Sequence, residues 1–124
     1  MLKEVVPTRQ IKGEPRRVWY LDDDMDLIVW YAEQGAVIGF QLATDKGKDE
    51  HALTWLEHKG FSHHRVDDGE GRPGRPKMSP ILVEDGVPDV GRLLDRFERR
   101  AVNLPAALRD CVLGKLREYG SGRP

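Results

Sequence analysis

At 124 residues the chain has room for one domain with a single modest core, and apolar residues at 39% beside charged residues at 33% describe a globular composition. The formal charge of −1 lacks the sustained basic field that nucleic-acid or membrane partners require, which argues against both. A lone cysteine, Cys111, excludes an intramolecular disulfide and a Cys-based zinc site, and no apolar run approaches ~18 residues, so the expectation is a reducing, cytoplasmic setting.

Residues 1–15 have no clear period and carry Pro7, Gly13 and Pro15, which predicts an N-terminal arm ahead of one domain over residues 16–124. Five β-rich segments follow: RVWYLD, DLIVWYA, AVIGFQLA, HALTWLE and FSHHRVD. Glu33-Gln34-Gly35 and His58-Lys59-Gly60 have the form of three-residue hairpin loops, a type I turn closed by a glycine with positive φ. That geometry pairs Ala32 with Ala36, Trp30 with Ile38 and Ile28 with Phe40. In the second hairpin it pairs Glu57 with Phe61 and Trp55 with His63. A similar loop over Asp23–Met25 would pair Tyr20 with Ile28. Pro73-Gly74 suits the centre of a type II turn, and SPILVEDG offers a short edge strand near Ile81–Val83.

Helical spacing takes over near Val90. Val90, Leu93, Leu94, Phe97 and Ala101 form one apolar stripe, with Arg92, Arg96, Arg99 and Arg100 expected on the solvated side. Asn103 stands as an N-cap with Pro105 in the first turn, and Leu104, Leu108, Cys111, Val112 and Leu116 continue a second helix until Gly120. The predicted class is α+β, an antiparallel β-meander of about five strands (residues 16–86) followed by two C-terminal α-helices (a hairpin over 88–120).

In DLIVWYA both alternate sets are apolar: Leu27, Val29 and Tyr31 on one face, Ile28, Trp30 and Ala32 on the other. A strand with one solvated face alternates with polar residues, so both faces are expected to be covered. The helices account for one. Curling of the sheet, the arm, or a second subunit in a homodimer would account for the other.

Chemistry is concentrated in the loops. A meander puts the loops after residues 21, 44 and 67 at one end of the sheet, gathering Asp22, Asp23, Asp24, Asp26, Asp45, Asp49, Glu50, Asp67, Asp68 and Glu70. Lys46, Lys48, Arg72, Arg75 and Lys77 lie among them. Crowded carboxylates raise one another's pKa unless cations neutralise them, and Lys/Arg side chains or a divalent ion with oxygen ligands could do so. His63 and His64 are neighbours in a strand, so they project to opposite faces and cannot share one metal. The candidate ligand contacts are His64, Asp67, Asp68, Arg72 and Arg75; no metal and no cofactor is assigned. A polar, salt-bridged rim accounts for the same residues without a ligand. The charge is divided along the chain: residues 90–124 hold eight Lys/Arg against four Asp/Glu, leaving 12 against 17 in the rest, so about +4 faces about −5.

Known catalytic templates fail. DDDMDLIVWYAE sets Asp22, Asp24, Asp26 and Glu33 at the EF-hand carboxylate spacing, but Leu27 stands where that loop needs glycine, and no amphipathic helix flanks it. GxSxG, P-loop, GxGxxG and HExxH patterns are absent. GEGRPGR does not lead from a strand into a helix, so it lacks the dipole of a phosphate cradle. Cys111 falls on an apolar helical stripe, and Trp19, Trp30 and Trp55 lack the interleaved Lys/Arg of a base-stacking platform.

The segment from Arg16 to Gly86, with its words GFQL, HALTW, RVDDGE and RPGR, resembles a family of small uncharacterised bacterial proteins. That family has no assigned activity, so the resemblance implies no catalytic residue, cofactor or substrate, and the helical tail lies outside it. Two functional expectations follow from the residues. The first is a non-enzymatic binding or protein-interaction domain, dimeric through a sheet face or the C-terminal helices. The alternative is an enzyme or small-ligand or metal-ion sensor built on the acidic/His/Arg loop end.

Overall fold

A computed structural model describes residues 1–6, 8–45, 50–67, 81–84 and 90–121. Seven antiparallel strands lie side by side in chain order: β1 (Lys3–Glu4), β2 (Arg16–Leu21), β3 (Met25–Tyr31), β4 (Val37–Thr44), β5 (His51–Leu56), β6 (Gly60–Asp67) and β7 (Ile81–Glu84). Helices α1 (Val90–Arg100) and α2 (Ala106–Ser121) follow. The α+β meander is as expected, with two strands more. One is β7, at the place SPILVEDG suggested. The other comes from the arm, where Lys3 and Glu4 pair with Leu21 and Tyr20. Pro73-Gly74 lies outside the described residues. No helix among the described residues is long and apolar enough to cross a membrane.

Both turn glycines take a positive φ, but only the first turn spans the expected residues; the second is closed by Lys59 N–H donating to Leu56 O, so Gly60 pairs with Leu56 and the expected Glu57–Phe61 pair does not form. Gly35 has φ 97° and Gly60 has φ 87°, a region that costs a side-chain-bearing residue about 1–2 kcal/mol. Ala32 N–H donates to Ala36 O at 2.8 Å, the expected closing pair. Beyond it the expected register fails by one residue. A β-bulge falls between Trp30 and Tyr31, so Trp30 pairs with Gly39 and Ile28 with Gln41, while Phe40 faces Val29. The β2–β3 turn is also one residue shorter, because Asp22 N–H donates to Met25 O; Tyr20 then pairs with Leu27. In the β5–β6 hairpin Trp55 pairs with Phe61 and Leu53 with His63, a shift of two that keeps every side chain on its expected face.

One face of this sheet carries the core. Val18, Tyr20, Leu27, Val29, Phe40, Leu42, Leu53 and Trp55 are buried there against Leu93, Phe97, Leu108, Val112 and Leu116 of the helices. Two contacts seat α2 over β5 and β6: Lys115 Nζ lies 4.5 Å from the centre of the Trp55 ring, and the Tyr119 ring packs 4.9 Å from that of Phe61, tilted by 40°. Leu2 closes the core at the β1 edge. It is fully buried, its N–H donates to Arg100 O, and its carbonyl accepts Asn103 Nδ2–H at 2.7 Å. Asn103 therefore ties the arm down rather than capping α2, whose first hydrogen bond runs from Arg109 N–H to Pro105 O.

The opposite face is different. Trp19, Ile28, Gln41 and Thr54 stand in register across β2–β5, all half-buried, with Trp30 and Leu56 half-buried in the next row. Gly39 lets those two close on each other, since a Cβ there would lie 2.7 Å from Leu56 Cδ2 and 3.0 Å from the Trp55 carbonyl oxygen. Towards the loop end Ala43 and Ala52 are buried.

Candidate functional site

Pairing of Met25 with Thr44, Thr44 with His51 and His51 with Arg65 brings the β2–β3, β4–β5 and β6–β7 connections to one end of the sheet, as a meander must. At the β2–β3 turn, Asp22 folds the chain back on itself. Its Oδ1 accepts the backbone N–H of Asp24 at 2.7 Å and of Met25 at 3.3 Å, which is why an aspartate suits this position. With 1% of its side chain exposed, that carboxylate requires cationic partners. Arg100 Nη1 donates to both carboxylate oxygens at 2.9 Å, and the Met1 ammonium lies 2.9 Å from Oδ2. Burial alone would raise the Asp22 pKa; the Asp24 N–H, the ammonium and Arg100 outweigh it and hold the carboxyl well below the usual carboxylate range.

A second arginine completes the network one helical turn away. Arg96 Nη2 donates to Asp24 Oδ2 and, at 3.2 Å, to Asp45 Oδ1, while Arg100 also approaches Asp23 at 3.3 Å. Asp45 adopts φ 60°, a conformation aspartate tolerates, at the end of β4. Arg96 and Arg100 were expected on the solvated side of α1. Their i, i+4 spacing instead sets them on the flank of Leu93 and Phe97, close enough to reach the acidic turns. The division of charge between the tail and the rest was the sequence signal for these pairs. Chemically the arrangement is an ion-pair clamp between α1 and the sheet. Among the described residues no group of three or more His, Cys, Asp or Glu is arranged to hold a metal ion.

The five sequence-derived ligand residues fall as follows. His64 pairs with Ala52 and so stands on the face away from the helices; its Nδ1 is buried and has no hydrogen-bond partner among the described residues. Asp67 ends β6, opposite Ile81, and by alternation its position falls on the helix side. The strand thus divides these two positions between faces. Asp68, Arg72 and Arg75 lie outside the described residues. His51 and His63 were not expected as a pair, yet they share the helix-side face with rings 5.5 Å apart and 2° from parallel. They are diagonal neighbours on β5 and β6, a relation that becomes visible only with the true register. Cys111 is half-buried, and burial pushes its thiol pKa up, with Lys115 acting weakly the other way, so little thiolate forms near neutrality.

At the other end of the sheet, where only tight turns were expected, a groove of about 680 Å³ opens between Gly13–Pro15 of the arm with Arg16 of β2 and Tyr31–Glu33, with Ile38 in its wall. The bulge beside Tyr31 lies in this wall. The Arg16 guanidinium covers the Tyr31 ring at 4.7 Å.

No known family, curated protein or solved structure matches the chain.

Proposed function

We propose that the chain is a small non-enzymatic interaction domain that associates with a second copy of itself through the sheet face opposite the helices. The observation that carries this reading is the row Trp19, Ile28, Gln41 and Thr54 with Trp30 and Leu56 beside it. The apolar members, Trp19, Ile28, Trp30 and Leu56, are left half-buried around the hydrogen-bonded pair Gln41 and Thr54, while their counterparts on the other face are buried. The state of the loop-end carboxylates supports it as well. Asp22, Asp24 and Asp45 are already engaged by Arg96, Arg100 and the Met1 ammonium, which supports reading them as parts of a clamp rather than waiting ligands.

Size sets how strong such association would be. Four strands at ~4.8 Å spacing and about four residues of length give a patch of about 300 Å². That is the scale of the largest functional apolar patch on a typical monomer, but well short of the ~800 Å² per partner of a standard stable interface. Dimerisation should therefore be transient, with a dissociation constant in the micromolar range or weaker. Sedimentation velocity over a wide concentration range tests it. The expected result is a weight-average mass rising from 14.1 kDa towards twice that value. The rise should disappear in Trp30→Lys while the circular-dichroism spectrum stays native. A mass that stays monomeric to ~1 mM would overturn the proposal, and so would a rise that Trp30→Lys leaves intact.

A further inference from the structure

No further inference is drawn: the strongest candidate, the groove at the turn end of the sheet between Gly13–Arg16 and Tyr31–Glu33, is rimmed by the solvent-exposed side chains of Glu14, Arg16 and Glu33, and nothing in the structure shows what would fill it.

Discussion

The two faces of this sheet are made of the same strands and both carry large apolar side chains, with Gln41 and Thr54 among those of the open face, yet they are packed to different degrees. On the helix side, Phe40, Leu27, Leu42 and Val29 have essentially no exposed surface, because Phe97, Val112 and Leu116 fill the space above them. On the other side Ile28, Trp30 and Trp19, equally large and apolar, remain half-buried. An apolar residue type therefore does not report how completely it is covered. Coverage depends on whether a second layer reaches it, and α1 and α2 reach only one face.

The sharpest way to break this comparison is to truncate one residue on each side. Phe97→Ala removes a fully buried ring from the covered side and should cost about 3–5 kcal/mol of unfolding free energy. Ile28→Ala, on a half-buried side chain, should cost about 1–2 kcal/mol. Urea denaturation of both variants measures the difference. Equal losses would mean that the second face is a core in its own right, leaving no patch for a partner.

Next in size is the clamp that holds α1 over the covered face. Asp22→Asn removes the buried charge that Arg100 Nη1 shares between two oxygens, leaving Arg100 only Asp23 and Asp24, and should cost about 2 kcal/mol, less than a fully buried pair because a third of the Arg100 side chain is exposed. The pH dependence has a definite sign. The Asp22 pKa is depressed in the folded state, so its stabilisation is fully present above the 3.8 of an unfolded aspartate and is lost as pH falls below it. Wild type should lose stability on acidification below about pH 4 more steeply than Asp22→Asn, whose residue 22 no longer titrates. Parallel acid-denaturation curves would show that the ion pairs contribute nothing.

How much of this could be seen in the sequence depends on what kind of information each feature needs. Gly35 and Gly60 announce their turns because positive φ is a local requirement that few other residues meet. Leu93, Phe97 and Ala101 announce α1 because helical spacing is local too. Register is not. The bulge between Trp30 and Tyr31 adds one residue to the strand pairing and carries no side-chain signature, yet it decides that Phe40 joins Val29 in the core rather than Ile28 on the other face. The stacking of His51 on His63 was hidden for the same reason. The clamp was half legible: the excess of arginine in the tail and of aspartate before it was plain. Which arginines turned inward depended on how α1 lies across the β2–β3 turn, a tertiary property. Leu2 and Asn103 join the arm to the helical corner across 101 residues of chain, a contact that no local pattern encodes.

Two glycines refine the comparison at about 1 kcal/mol. Gly39→Ala would force a methyl group against Leu56 and the Trp55 carbonyl on the less covered face, and a cost of about 1–2 kcal/mol is expected from overpacking. Gly114 sits exposed within α2 with nothing within 4 Å of the place an alanine methyl would take, so Gly114→Ala should gain about 0.5–1 kcal/mol from helix propensity. Thermal melts of both variants should therefore shift in opposite directions. A Gly39→Ala protein as stable as wild type would show that Leu56 and Trp30 move freely there.

The last effect concerns the alkaline limb of stability, and it returns to the covered face. Burial pushes the Tyr20 pKa up to about 12, with Tyr31 and Glu4 adding to the shift and Arg16 opposing it. A raised folded-state pKa means the native protein holds its proton more tightly than the unfolded chain. The linked stabilisation is then complete below the unfolded value of 10.0 and is lost as pH rises towards the folded value. The Tyr31 pKa is raised as well, again mainly by burial, so Tyr20→Phe should flatten the decline above pH ~10 only in part, and adding Tyr31→Phe should flatten it further. Urea midpoints at pH ~9 and ~11 measure both steps. If the single and double variants fall as steeply as wild type, neither hydroxyl is held by the packing of this face, and the contrast in coverage between the two sides would be weaker than their geometry implies.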